Sequence, residues 1–161
     1  MLNNFFDPQT VDVFIKLFIA MSLGMIIGVE RLFAHKTASM RTFALISMGS
    51  ALFVVVSVLV SNQYIGIVNF DPLRLAAQIV AGAGFLGAGL VMIKDREVTG
   101  ITSSTGLWVS AAIGMGVGFG LYKVAFIATF LTLFIFIILW FIEQRLKNLS
   151  FFKNSTIEEN R

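Results

Sequence analysis

Long uncharged stretches constrain the fold of this chain more than any other feature of its sequence. Four runs of 19 to 29 residues contain no Asp, Glu, Lys or Arg, at 42–70, 75–93, 98–122 and 124–142. A helix needs about 20 mostly apolar residues to cross the hydrocarbon core of a bilayer. Because 57% of the 161 residues are apolar and only 13% are charged, a soluble fold could not bury the apolar surface. The sequence therefore predicts a small membrane protein.

A fifth span is predicted near the N-terminus, where the uncharged run 17–29 reaches spanning length if it extends back to Val11. This extension includes Asp12 and Lys16, which are four residues apart and can pair on one helix face. Backbone groups in hydrocarbon must be satisfied within their own segment. We therefore expect an all-α, polytopic membrane protein with five transmembrane helices. The predicted spans are 11–29, 43–62, 73–93, 102–121 and 123–142.

Basic residues cluster on one side of these spans. Nine lie at one set of span ends and at most three at the other, so the positive-inside rule places the N-terminus outside and the C-terminus in the cytoplasm. The nine are Arg31, Lys36, Arg41, Lys94, Arg96, Arg145, Lys147, Lys153 and Arg161. Residues 1–142 are predicted to form one five-helix transmembrane domain, and residues 143–161 a short polar cytoplasmic tail. The N-terminal segment has neither the basic start nor the small-residue cleavage site of a signal peptide, so we expect the first helix to remain in the mature protein.

Small residues recur at four-residue spacing within the spans, which lets helix backbones approach each other closely in lipid. We predict that these positions pack helices, and that the regular ladder of the fourth span faces the third. The alternative is an unwound, glycine-bearing helix that lines an ion site. Residues 82–87 also match the string GxGxxG, but the strand and acidic residue of a dinucleotide site are missing. The predicted packing positions are Gly24, Gly28, Gly82, Gly84, Gly87, Gly106, Ser110, Gly114 and Gly118.

The third span begins with an Asp-Pro pair and carries Arg74 and Gln78 four residues apart. Asp71 can cap the helix, and Pro72 lacks the amide that would go unpaired. A charge near hydrocarbon depth costs a few kcal/mol, so it normally has a partner or a role. Two interpretations stay open: an Asp71–Arg74 pair that anchors the helix at the outer interface, or an inward-facing site in which Arg74 and Gln78 bind a ligand or another span.

Further polar candidates lie at the predicted inner face, including Glu30, Arg31, Arg41 and the hydroxyl-rich entry to the fourth span at Thr102. Thr102, Ser103 or Ser104 could cap that helix. Carboxylates of Glu30 and of the 94–97 loop suit a hard cation, but the neighbouring basic charges oppose one, so no metal and no cofactor is expected. With one histidine, no cysteine and no base spaced to activate a serine, we expect no catalytic residues and no enzyme activity.

Five segments together resemble the N-terminal membrane domain of the MgtC/SapB family over about residues 11–142. They are IIGVERLF (26–33), MRTFAL (40–45), the run 71–89, VTGITSSTGLW (98–108) and SAAIGMGVGFGLY (110–122). The resemblance implies a multi-pass protein of the bacterial inner membrane that supports growth at low magnesium. It assigns polar functional positions to Glu30, Arg31, Arg41, Thr42, Asp71, Arg74, Gln78, Thr102 and Trp108. Leu32 departs from homologues that have a second acid there, which weakens a cation site.

The resemblance favours a regulatory protein that acts on other membrane proteins, such as the proton-driven ATP synthase or proteins of ion homeostasis. The alternative is a small ion transporter or channel for magnesium. The soluble C-terminal domain of virulence homologues is not expected in this sequence. The expected partners are the lipid bilayer and other membrane proteins, with no nucleic acid. The small-residue faces could form a homodimer or be buried within one subunit.

Overall fold

The computed structural model describes residues 7–36, 38–64, 71–94 and 97–146. Its described elements are five helices and one two-stranded hairpin, so the predicted all-α class is confirmed in its main feature. In chain order they are α1 (Pro8–Phe33), α2 (Met40–Gln63), α3 (Pro72–Ala88), β1 (Met92–Lys94), β2 (Glu97–Thr99), α4 (Ile101–Gly118) and α5 (Tyr122–Phe134). The helical path of α5 continues through a π-helical turn at Ile135–Leu139 to Leu146. The predicted tail beyond 146 and the Asp95 and Arg96 positions lie outside the described residues.

Three of the helical segments are long and apolar enough to cross a membrane. They are α1 with 26 residues, α2 with 24, and the path from Tyr122 to Leu146 with 25. The helix α3 is apolar but has only 17 residues, and α4 has 18 that include many glycines and hydroxyl side chains. Each of the five predicted spans overlaps a helix. Three of them overlap a helix that is both long enough and apolar enough to cross a membrane.

The predicted end of the third span at residue 93 is wrong. The helix α3 ends at Ala88, and the chain then forms an antiparallel hairpin in which Met92 pairs with Thr99 and Ile93 with Val98. The apolar run gave no sign of this change, because Val and Ile suit a strand as well as a membrane helix. The hairpin therefore takes the place of the simple loop predicted between the third and fourth spans.

The residue that precedes the first turn of α4 is a glycine, not one of the hydroxyl residues predicted to cap this helix. Gly100 is the N-cap residue with a φ of +89°, and a Cβ there would overlap the carbonyl of Leu90. That backbone conformation is accessible to glycine at little cost and strained for other residues. The predicted caps from Thr102, Ser103 or Ser104 are therefore wrong for the fourth helix. The nearby Thr105 hydroxyl instead donates to the carbonyls of Ile101 and Thr102 within the helix.

The second helix lies at the centre of the bundle and packs closely against α1. A Cβ on Gly28 would lie 2.6 Å from the Cα of Met40, and one on Gly24 would overlap the backbone of Phe43. The Ser47 hydroxyl donates across the same interface to the carbonyl of Ala20 at 2.7 Å. The first two helices are thus antiparallel and joined at backbone distance.

The other side of α2 receives α4, so the prediction that the ladder of the fourth span faces the third is wrong. A Cβ on Gly114 would overlap the backbone of Ser47, and one on Gly118 would lie 2.7 Å from the Cβ of Val54. The Ser110 hydroxyl donates to the Phe43 carbonyl at 3.1 Å. The partner helix was missed because α2 provides its small surface with serine and alanine rather than with a glycine ladder.

The fifth helix covers α1 and α4 with a narrow face that contains Ala125, Thr129, Thr132 and Phe136, all of them buried. The Thr129 and Thr132 hydroxyls donate to carbonyls four residues earlier in the same helix. Large apolar side chains such as Phe126 and Phe130 are exposed on the remaining surface. This distribution is typical of a helix that faces lipid on most of its circumference.

We predict that Gly114→Ala destabilises the bundle, whereas Gly116→Ala, its matched control in α4, does not. The new Cβ at 114 meets the backbone of Ser47, which cannot move away without displacing α2. At 116 it meets the Cβ of Ala125 at 3.9 Å, which is an ordinary contact. Overpacking costs about 1–3 kcal/mol. Thermal unfolding in detergent gives the melting temperatures of the two purified variants. Equal melting temperatures would contradict the close α2–α4 contact.

We predict that Asp71→Ala lowers stability by about 1 kcal/mol, the usual effect of losing an N-cap. The Asp71 carboxylate accepts from the amides of Leu73, at 2.9 Å, and Arg74, at 3.4 Å. Asp7 precedes Pro8 in the same way but makes no side-chain cap bond, so Asp7→Ala is the control. Chemical denaturation of the two variants compares them directly. A loss of stability in Asp7→Ala as large as in Asp71→Ala would contradict this assignment.

Candidate functional site

The polar candidates of α3 lie on its outer surface. Asp71, Arg74 and Gln78 are all exposed. In the described part of the chain the carboxylate of Asp71 makes no ion pair with the Arg74 guanidinium, and it caps the backbone amides of α3 instead. The structure therefore shows neither arrangement considered from the sequence. Asp71 and Arg74 do not form an ion pair, and Arg74 and Gln78 do not face the bundle interior.

Two of the predicted packing glycines of α3 do not pack helices: Gly82 lines a groove toward α2, and Gly84 lines a cleft beside α4. A Cβ on Gly82 or on Gly84 would meet no atom within 4 Å, so within this chain neither position brings another helix close. Phe85, one turn after Gly82, is 81% exposed. The sequence could not separate these glycines from the packed ones, because both sets have the same spacing. Arg74, Gln78 and Gly82, each four residues apart, form what we call the outer face of α3.

The inner side of α3 contacts α4 through a second set of small residues. Ala83 is buried, and a Cβ on Gly87 would lie 2.7 Å from the Ser104 hydroxyl. The flank of this contact opens into a cleft of about 340 Å³ that is bordered by Trp108, which is 46% exposed. The third helix is therefore attached to the bundle mainly along one line, through α4.

A groove separates α3 from α2 on the opposite flank. It encloses about 390 Å³, and its walls are almost entirely apolar, with Leu45 and Phe53 on α2 and Ile79 and Leu86 on α3. Gln78 and Gly82 border the same groove, so it adjoins the outer face of α3. Gly49 of α2 also lines it, and no atom lies within 4 Å of where a Cβ on Gly49 would be.

At the other end of the bundle, Arg31 is the centre of a polar cluster. Its side chain is 4% exposed, its Nε donates to the carboxylate of the adjacent Glu30, and its guanidinium lies 3.7 Å above the ring centroid of Phe136. Such a cation–π contact is most favourable when it is removed from water. The Phe136 ring also contacts α4, where a Cβ on Gly106 would meet it. Gly106 thus makes room for the aromatic partner of Arg31.

Phe136 and the π-helical turn that carries it were not identified from the sequence. The segment IFIIL at 135–139 is uniformly apolar, so neither periodicity nor charge marks it. π-Helical turns insert one extra residue and frequently occur at functional sites. The sequence gives one indirect signal for this contact: Arg31 lies at the end of an apolar helix, where a charged side chain needs partners.

The sequence-predicted residues therefore do not form one site. Asp71, Arg74 and Gln78 lie at one end of the bundle, while Glu30, Arg31 and Thr102 lie at the other, where Arg31 and Thr102 line a common cavity. Arg41 and Thr42 are exposed at the start of α2. Among the described residues no group of three or more His, Asp or Glu side chains could hold a metal ion. The Asp95 ligand considered for a cation lies outside those residues.

The comparisons with known proteins agree on one family. The sequence model of the MgtC family matches residues 17–145, which include the four helices from α2 to α5 up to Arg145 and most of α1. No solved structure matches the chain significantly.

Three relatives illustrate the range of similarity. YhiD of Escherichia coli K12, named as a candidate magnesium transporter, is 36% identical over 92% of this chain and 70% of its own length. SapB of Bacillus subtilis is 37% identical over 78% of this chain and 54% of its own. MgtC of Brucella abortus is 46% identical over 68% of this chain and 44% of its own.

These matches cover between less than half and about two thirds of each relative, so the aligned part is a shared membrane region of longer proteins. Their identity exceeds 30% across most of this chain. The apolar helices of the structure overlap the matched range and agree with a membrane protein. This chain belongs to the MgtC family.

Proposed function

We propose that this protein is a multi-pass protein of the bacterial inner membrane whose five helices all span the bilayer, with the N-terminus outside and the C-terminus in the cytoplasm. The overlap of all five helices with the predicted spans and the excess of basic residues at one set of ends support this topology. Residues 1–142 would then form one membrane domain, followed by a short polar tail at 143–161.

Within this topology we propose that the protein regulates other membrane proteins by binding them through the outer face of α3. The observation that carries the proposal is the exposure of Arg74, Gln78 and Gly82 along one line of a helix that lies in the bilayer. Charged and amide side chains that face lipid are costly, and they are normally matched by a neighbouring helix. A Cβ on Gly82 would meet no atom of this chain within 4 Å, so this position leaves room beside a neighbouring helix.

The interior of the bundle supports regulation better than transport. The hydroxyls of Ser47 and Ser110 donate to carbonyls of neighbouring helices, and those of Thr129 and Thr132 donate to carbonyls of α5 itself, so these polar groups are satisfied within the protein. The tight α2–α4 contact fills the centre of the bundle. The name of YhiD favours the alternative, a small magnesium transporter, and the groove between α2 and α3 is the place where an oligomer could complete a pathway.

The resemblance to the MgtC/SapB family suggests the biological setting of this contact. The proton-driven ATP synthase and proteins of ion homeostasis are the proposed partners, and growth at low magnesium is the proposed benefit. A second copy of this chain is the other candidate for the outer face of α3. No enzymatic step forms part of the proposal, and the names of the three relatives describe a transporter or the family itself.

Photocrosslinking from the outer face of α3 tests the proposal. Because the chain contains no cysteine, Gly82→Cys introduces a single thiol for a benzophenone maleimide. Leu131→Cys, exposed at a similar distance from the start of α5, is the matched control on a lipid-facing surface. We expect protein adducts of defined mass from position 82 in native membranes and only lipid adducts from position 131.

Adding Gln78→Leu to the Gly82→Cys variant should reduce the adduct yield about threefold, which is the usual contribution of one interhelical hydrogen bond in a membrane. An adduct of twice the chain mass would identify a second copy as the partner, and a different mass would identify another protein. Equal protein adducts from positions 82 and 131, or no protein adduct from position 82, would contradict the proposal.

A further inference from the structure

Two adjoining cavities lie between the end of α1 and the end of α5, away from the outer face of α3. The first encloses about 380 Å³ and is the more polar of the two, with Arg31, Lys36, Thr102 and Gln144 in its wall. Arg31 and Lys36 provide two positive charges, and Thr102 and Gln144 provide hydrogen-bond donors. A small anionic group is the ligand that such a wall would recognise.

The second cavity encloses about 560 Å³ and has almost entirely apolar walls. Ile26 and Phe33 of α1 form one side, and Leu133 and Ile137 of α5 form the other. The cavity opens toward the surface where α5 exposes its large apolar side chains. In a membrane this opening faces acyl chains, so the natural occupant of the cavity is hydrocarbon.

The two cavities are neighbours and share part of their walls. Ala34, Phe136 and Trp140 line both of them. The π-helical turn that contains Phe136 and precedes Trp140 therefore separates a polar compartment from an apolar one. A ligand that occupies both compartments must be amphipathic.

The guanidinium of Arg31 is available to such a ligand. It has five N–H donors, and within the described residues the hydrogen bond that it forms uses Nε alone, which donates to Glu30. The ring of Phe136 holds the guanidinium plane in place, and the side chain is nine-tenths buried, so its remaining donors are shielded from bulk water while they line the cavity.

The wall of the polar cavity contains one carboxylate, that of Glu143, against the two positive charges of Arg31 and Lys36. Glu30 is the ion-pair partner of Arg31, and Glu143 also takes part in an interaction within the protein. Lys36 is exposed to solvent and lines the polar cavity. Basic pockets between transmembrane helices near the membrane surface are typical sites for acidic lipid head groups.

We propose that the two cavities form one binding site for an anionic phospholipid of the bilayer. Its phosphate lies against Arg31 and Lys36 in the polar cavity, and one acyl chain lies along the apolar cavity past Trp140. This site is separate from the outer face of α3, and it does not depend on the proposed regulatory function.

Tryptophan quenching by brominated lipids tests the site directly. The chain has two tryptophans, so Trp108→Phe leaves Trp140, which lines both cavities, as the sole reporter. The full chain is reconstituted into phosphatidylcholine vesicles that contain increasing fractions of brominated phosphatidylglycerol or brominated phosphatidylcholine. We expect brominated phosphatidylglycerol to be preferred over brominated phosphatidylcholine by about fivefold or more. One nearby basic residue typically provides a preference of this size.

Lys36→Gln should lower this preference about fivefold, whereas the matched control Arg145→Gln, which removes the same charge outside the cavity wall, should leave it unchanged. Because loss of the Arg31 charge would leave Glu30 without its partner, the test depends on the exposed Lys36. Equal quenching by the two lipids, or equal effects of the two variants, would overturn the proposal. Displacement of the anionic lipid by millimolar inorganic phosphate would also overturn it, since the occupant would then be a free anion.

Discussion

The backbone-distance contact of α2 with its two neighbours is the constraint on which the rest of the structure depends. Gly24 and Gly28 bring α1 against one side of α2, and Gly114 and Gly118 bring α4 against the other. In lipid no hydrophobic force draws helices together, so close packing and interhelical hydrogen bonds must do so. Ser47 and Ser110 provide two such bonds. Widening either contact by one methyl group would displace a whole helix.

Filling the centre with α2 has a consequence for the third helix. Since α4 uses its main glycine ladder on α2, α3 contacts the bundle chiefly through Ala83 and Gly87. The opposite side of α3 therefore exposes Arg74, Gln78 and Gly82, which a membrane protein normally matches with a neighbour. The proposed regulation through a partner helix relies on the same packing that closes the bundle interior. The proposed lipid site lies at the other end, where the π-helical turn places Phe136 against Arg31.

Hydropathy and charge predicted the helical class, the approximate position of every helix and the Asp71 cap, because each depends on local sequence alone. The partner of each helix depends on tertiary packing, which explains two errors. Glycine spacing could not show that Gly114 faces Ser47, nor that Gly82 faces outward. The β-hairpin after Ala88 lies in an apolar run that is equally compatible with a helix. The segment IFIIL has no feature that predicts a π-helical turn beside Arg31.

The central claim is that this protein acts through contacts of its helices and does not itself conduct magnesium. Magnesium uptake into proteoliposomes that contain the purified chain tests it most directly, with a known magnesium transporter reconstituted in parallel. We expect uptake no greater than in empty vesicles while the control transporter is active. Uptake above empty vesicles that disappears in Arg74→Ala would contradict the claim and make α3 part of a transport path.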